Sequence, residues 1–302
     1  MSIPLATVAT EFLERPGLAR STVQSYELSL MPLLGEYGSY PIEILSRRAL
    51  ADYLDSLPHL AYTTHQRHQA ILQALFNFAV EQGYLKVNPI TRLQRRKPNP
   101  ERGEHFSDRV IRYLSLSQIT TLYQVIDRHS RMKALVYLLH RTGARIAEVL
   151  ALNLSDLNLK MRKFQVIGKG NKIRWCFYSE DAATALEKYL KYYRHPESDA
   201  LFTAQKPVTK LVTRLSYRTA HRDWTNLIES APELDGIRMH DLRHTFATER
   251  VGLMGIEELR ALMGHTNIAT TLRYQKVTSE RAEIVAQAAL DRLLQGAENS
   301  QI

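Results

Sequence analysis

The sequence predicts a mainly α protein with one small antiparallel β-sheet, divided into two domains. Three observations carry this. Apolar residues recur at helical spacing through most of the 302 residues. A single pair of β-type runs is joined by a Gly-Lys-Gly-Asn turn. One stretch near residue 100 combines charges, prolines and a glycine without any apolar period.

Taken in order, residues 1–97 read as a helical domain. "STVQSYELSLMPLL" opens on Ser21 and Thr22 as a helix cap and continues with helical spacing. "TTHQRHQAILQALFNFAVEQGYL" is a second amphipathic helix with Ile71, Leu72, Leu75, Phe76 and Ala79 inward. Its start, with His65, Arg67 and His68, reads either as a basic surface for a phosphate backbone or as an ordinary solvated face. Residues 98–112, overlapping the charged and proline-containing "RLQRRKPNPERGEHFSDR", read as a linker. A second domain, 113–302, begins near "RYLSLSQITTLYQVI". "SRMKALVYLLHRTGARIAEVLAL" reads as two helices broken at Thr142-Gly143, and "KFQVIGKGNKIRWCFYS" as the hairpin. Helices follow at "EDAATALEKYLKYY", "YRTAHRDWTNLIES" and "MHDLRHTFATERVG". Asn267 reads as the cap of a further helix whose buried stripe is Ile268 and Leu272. Tyr274 lies about 200° round from Leu272 at roughly 100° per residue, off that stripe. A last helix, "SERAEIVAQAALDRLL", presents Ile284, Val285, Ala288, Ala289 and Leu293 to a partner surface.

Composition narrows the function classes. The net charge is +9 and the pI about 9.6. The excess sits in residues 113–302, with 27 basic and 20 acidic groups. That is the electrostatic footprint of a nucleic-acid binder. One cysteine, Cys176, excludes a disulfide framework and a cysteine-based zinc site. No secretory segment and no membrane-spanning apolar run is seen, so a soluble cytoplasmic protein is expected.

Four short motifs carry polar residues that a simple core does not need. Arg145 in "TGARIAEVL" opens a helix with Glu148 at i+3. Lys169 stands at the hairpin tip in "VIGKGNKIR". His240 and Arg243 share a helix face in "MHDLRHTFAT". His265 stands in the turn of "LMGHTNIATTLRYQ", with Tyr274 on the helix after it. Singly, each also reads as ordinary structure: an ion pair, a turn lysine, a solvated face, a capping histidine. Together they form a cationic set with a nucleophile. Arginine forks hold both non-bridging oxygens of a phosphodiester and stabilise charge growing on a pentacoordinate phosphorus. Histidine and lysine move protons, and a tyrosine hydroxyl attacks once its proton is taken. There is no acidic cluster for two metal ions and no Walker motif for ATP. On this reading Tyr274 is a covalent nucleophile toward DNA, and no metal or cofactor is called for.

At these residues the sequence resembles the tyrosine recombinase, or phage integrase, family. "TGARIAEVLAL" resembles its first-arginine motif, placing Arg145 and the supporting Glu148. "GKGNK" resembles its hairpin-lysine motif, with Lys169 following Arg145 by 24 residues. "HDLRHTFAT" is similar to the His-x-x-Arg motif at His240 and Arg243, and "LMGHTNIATTLRYQ" to the last motif at His265 and Tyr274. His244 matches no catalytic position of the family. The close resemblance covers about residues 113–280, while residues 1–97 are similar mainly in helical character. The plan resembles simple Xer-type and transposon- or plasmid-encoded recombinases, without an added N-terminal arm-site domain. "RYQKV" departs from the Xer pattern after the tyrosine and favours a mobile-element role.

The resemblance implies a C-shaped two-domain clamp around double-stranded DNA bearing paired inverted sites. Tyr274 attacks the scissile phosphate, leaving a 3′-phosphotyrosyl bond and a free 5′-hydroxyl, and four protomers exchange strands through a Holliday junction. It implies a nucleoid-associated protein acting alone or with a related recombinase, the last helix docking on a neighbour. A type IB topoisomerase and a DNA-binding regulator without cleavage remain the alternatives.

Overall fold

The computed structural model describes residues 2–104, 111–168 and 172–277, together with residues 286, 287 and 290. The chain forms two compact units, Met1–Arg109 and Val110–Ile302.

The first unit contains α1 (Leu5–Glu14), α2 (Arg20–Tyr37), α3 (Arg47–Asp55) and α4 (Tyr62–Glu81). Its core gathers Leu5 and Phe12 of α1, Leu30 and Leu33 of α2, Leu50 of α3, and Leu72, Leu75 and Phe76 of α4. All five residues expected to face inward on α4 are buried. The expected cap of α2 is absent: the helix starts at Arg20 without a side-chain cap, and Ser21 and Thr22 lie inside its first turn. His65 and His68 do not form a phosphate-facing surface, because both are buried. His65 Nε2 bonds the Leu54 carbonyl at 3.0 Å, and only Arg67 of the three is exposed. Beyond residue 97, Glu104 accepts from Arg96 at 2.5 Å, from the Asn99 amide at 2.9 Å and from the Tyr62 amide at 3.1 Å. These bonds tie residues 98–104 to the start of α4.

The second unit opens with α5 (Leu116–Ile126), whose cap is reciprocal between Ser115 and Gln118. α6 (Ser130–Thr142) is its central helix, contributing Ala134, Leu135, Val136, Leu138 and Leu139 to the core. α7 (Ile146–Ala151) follows, and then an antiparallel sheet of β1 (Leu157–Asn158), β2 (Lys163–Ile167) and β3 (Ile173–Phe177), in that order. The register pairs Phe164 with Cys176 and Val166 with Arg174. Alternation turns Phe164, Val166 and Cys176 into the core. The hairpin closes through the Gly168 amide on the Lys172 carbonyl at 2.8 Å. After α8 (Glu180–Tyr192) comes a second, two-stranded sheet, β4 (Thr203–Gln205) and β5 (Val212–Arg214), which the sequence reading did not anticipate. α9 (Tyr217–Ile228), α10 (Met239–Arg250), α11 (Ile256–Met263) and α12 (Ile268–Leu272) complete the fold. α6 packs on both α8 and α10.

The end of the chain departs from the expected pattern. Asn267 caps α12 through the Ala269 amide, but the α-helix lasts only to Leu272 and continues as a 3-10 turn, Arg273–Val277. Ile268 and Leu272 are 37% and 39% exposed, whereas Tyr274 is 3% exposed and Thr271 fully buried. The tighter turn swings Tyr274 inward, so the expected buried stripe is on the outside. Of the last predicted helix, Ala286, Gln287 and Leu290 are helical. Its stripe of Ile284, Val285, Ala288, Ala289 and Leu293 lies outside the described residues.

Candidate active site

Two left-handed glycines set up the site. Gly143 ends α6 at φ +63°, and its position against the Phe246 ring leaves no room for a Cβ. Gly264 ends α11 at φ +63°, where a Cβ would lie 2.9 Å from an Arg174 nitrogen. The first delivers Arg145 to the start of α7, and the second delivers His265 to the turn before α12.

Arg145 is locked by its i+3 partner. Its amide donates to Glu148 Oε2 at 2.7 Å, and one guanidinium nitrogen donates to Oε1 at 3.0 Å. Arg174, which the sequence reading left unassigned, donates both terminal nitrogens to the same carboxylate at 2.9 and 2.7 Å. Arg174 Nε donates to the Leu262 carbonyl, joining β3 to α11. Burial pushes the Glu148 carboxyl upward, but the Arg174 bonds, the Arg145 amide and both cations outweigh it and hold it below the usual range.

Arg243 is buried on α10 at 3% exposure. It donates to the Gly143 carbonyl, to the Met263 carbonyl at 2.6 Å and to His265 Nε2 at 2.9 Å. Burial, aided by the charges of Arg145 and Arg174, lowers its pKa to about 10, so it remains a cation at neutral pH. A guanidinium only donates, so His265 Nε2 presents its lone pair. Its proton then sits on Nδ1 and is given to Thr271 Oγ1 at 2.9 Å. Burial and then the neighbouring arginines push His265 down to about 3, which keeps this neutral tautomer in place.

Tyr274 packs in a small apolar cluster with Phe246, Ala247, Leu259 and Met263. Its ring lies parallel to that of His265, centroids 6.4 Å apart. Its hydroxyl is 2.8 Å from His244 Nδ1. Burial raises the phenol, with Arg243, Arg273 and Arg145 opposing, so Tyr274 is uncharged at neutral pH. His240, on the first turn of α10, meets the His244 ring edge-on at 4.8 Å.

Arg145, His240, Arg243, His265 and Tyr274 thus line one cavity of about 210 Å³. Lys169 lies outside the described residues. Two further residues belong to the arrangement: His244 on the wall and Arg174 behind Glu148. Their contacts come from elements 30 and 26 residues away, which no local period reveals. Among the described residues the wall carries the cations Arg145, Arg243 and Arg273 and no carboxylate. Such a wall, with a buried hydroxyl on it, fits a single anionic group such as a phosphodiester.

Comparison with known proteins agrees with this chemistry. Residues 112–281 match the phage integrase family. The tyrosine recombinase XerC of Mannheimia succiniciproducens is 32% identical over 237 residues, 72% of each chain. The tyrosine recombinase XerD of Haemophilus influenzae is 28% identical over 285 residues, 90% of this chain and 92% of the relative. In fold, the chain is similar to the Tn1549 transposon integrase, solved with a circular-intermediate DNA. The TM-score is 0.73 at 18% identity, covering 94% of this chain and all of that one. The XerH recombinase, solved on a palindromic difH substrate, gives a TM-score of 0.70 at 20% identity, covering 87% of this chain and 78% of that one. With its matched domain spanning more than half its length, the chain belongs to the phage integrase family, as the tyrosine recombinases do.

Proposed function

We propose that this protein is a site-specific DNA recombinase whose nucleophile is Tyr274. The observation that carries this reading is the cavity itself: a buried tyrosine hydroxyl beside two arginines, on a wall without a carboxylate among the described residues. The scissile phosphate binds there with its non-bridging oxygens on Arg145 and Arg243. Both are fixed before DNA arrives, Arg145 by Glu148 and Arg243 by two carbonyls and His265. A transition state that gains charge is stabilised most by donors that need no reorganisation. His240 contributes a further donor to the phosphate, and His265 positions Arg243.

Attack by the Tyr274 oxygen forms the Oη–P bond and breaks the P–O5′ bond. Lys169 protonates the departing 5′-oxygen. The 3′-phosphotyrosyl bond keeps the energy of the phosphodiester, so resealing by a 5′-hydroxyl needs neither ATP nor a metal. Residues 1–97 supply further contact to duplex DNA. Four protomers on paired inverted sites exchange strands through a Holliday junction. The mobile-element role rests on "RYQKV" and on the fold likeness to a transposon integrase. Action in the cytoplasm at the nucleoid follows from the substrate.

The test begins by footprinting the full chain on DNA flanking its gene, which defines the site. A nicked suicide duplex carrying that site should trap the protein as an SDS-stable adduct. Binding without any adduct would identify a regulator, and adduct formation on any sequence would identify a topoisomerase.

A further inference from the structure

Attack by Tyr274 requires that its phenolic proton go somewhere, and neither the motif arginines nor His265 is placed to accept it. Arg145 and Arg243 can only donate. His265 stacks on the Tyr274 ring, but Arg243 occupies the lone pair of its Nε2, and its Nδ1 carries the proton given to Thr271. The hydroxyl instead bonds His244 Nδ1 at 2.8 Å. His244 follows Arg243 directly on α10, about 100° further round the helix. Arg243 therefore enters the core while His244 faces the tyrosine turn.

We propose that His244 is a further catalytic residue: its Nδ1 accepts the Tyr274 proton as the phenolic oxygen bonds to phosphorus. This rests on Tyr274 being the nucleophile. His244 takes part as the tautomer with its proton on Nε2, so that the phenol donates to Nδ1. As the Oη–P bond forms, the O–H bond breaks and its proton becomes the second proton of the imidazole. The P–O5′ bond breaks in the same displacement, and the 5′-oxygen takes its proton from the general acid. In resealing, the imidazolium returns its proton to the departing phenolic oxygen.

The surroundings decide when this transfer occurs. Burial holds His244 down to about 4, with the rings and charges of His240, Arg238 and Arg243 adding and Asp241 opposing, while burial raises Tyr274. In the free protein the proton therefore stays on the phenol. A phosphate bound between Arg145 and Arg243 offsets that positive field and favours an imidazolium. Nucleophile activation is thus coupled to occupancy of the cavity.

The experiment compares the parent with His244→Asn and His244→Ala on the nicked suicide duplex, with a 5′-bridging oxygen or sulfur. Asparagine can accept the hydrogen bond but cannot carry the proton. Both variants should bind the site as the parent does and cleave about 10²-fold or more slowly near neutral pH. Their rates should climb with pH as phenolate becomes available, and imidazole should restore His244→Ala. The sulfur substrate should not rescue them, because the missing step is on the nucleophile side. Parent-rate cleavage by His244→Asn, or rescue by sulfur, overturns the proposal. If the variants do not bind DNA, the parent on the sulfur substrate decides. Its rate should fall through one ionisation on acidification, and a flat profile overturns the proposal. A covalent adduct formed by Tyr274→Phe would instead refute the nucleophile assignment beneath it.

Discussion

Replacing Glu148 by glutamine should unlock Arg145 and weaken the whole catalytic unit. The carboxylate is 8% exposed and receives four donors. Oε1 accepts from Arg145 and Arg174 at 3.0 and 2.9 Å, and Oε2 from the Arg145 amide and Arg174 at 2.7 and 2.7 Å. Glutamine has one acceptor oxygen, so whichever way the amide turns, its NH₂ faces two N–H donors. Each donor left without a partner costs about 1–3 kcal/mol. Two guanidinium groups also lose their counter-charge, and breaking a buried ion pair from one side costs about 3–5 kcal/mol. The two figures describe the same loss, so about 3–5 kcal/mol is expected, against a total stability on the order of 5–15 kcal/mol for a domain. Urea denaturation of the full chain, followed by tryptophan fluorescence, measures it, since both tryptophans, Trp175 and Trp224, lie in the second unit. The pH dependence provides a second reading. The Glu148 carboxyl is held below its ordinary value in the folded state. Its contribution is therefore complete above the unfolded carboxyl pKa and is lost as pH falls through the folded one. Parent and variant should converge on acidification. A Glu148→Gln protein of parent stability that cleaves DNA at the parent rate would refute this account of the Arg145 anchor.

Three further outcomes are expected. Arg243→Lys should cleave about 10²–10³-fold more slowly, because an ammonium cannot reach two carbonyls, His265 and a phosphate oxygen together; suicide-substrate kinetics check it. Gly143→Ala should cost roughly 1–3 kcal/mol for the left-handed backbone alone, with the Phe246 contact adding to it, and should lower the midpoint of denaturant unfolding. Lys169→Ala should be slow on ordinary DNA and recover on a 5′-bridging sulfur substrate, and failure to recover would remove it from the general-acid role.

Much of this was legible from local pattern, and the rest depended on contacts between distant elements. The break at Thr142-Gly143 was visible because glycine is favoured where φ is positive, and the GKGN hairpin because its turn chemistry is local. β4 and β5 were not visible: three-residue strands carry too little alternation to register. Tyr274 stood out as lying off the buried stripe, and the structure overturns that ground by burying it. A fixed 100° step placed it outside and put Ile268 and Leu272 inside, whereas the 3-10 turn and the bond to His244 reverse that order. His65 and His68 were polar by type yet buried, since the interior carbonyl of Leu54 offers His65 a partner that sequence does not display. Nothing local in the hairpin stretch singles out Arg174. Only the fold brings Glu148 within reach of it.

The central claim is that Tyr274 is the nucleophile of a metal-free cleavage. The direct test is Tyr274→Phe beside the parent on the nicked suicide duplex, with excess EDTA, resolved by SDS gel and peptide mass. The substitution keeps the packed ring and removes the attacking oxygen and its bond to His244. The parent should form an adduct on the peptide containing Tyr274, while the phenylalanine protein binds the same DNA and forms none. A covalent adduct on the Tyr274→Phe protein, or on any other residue of the parent, would contradict the account.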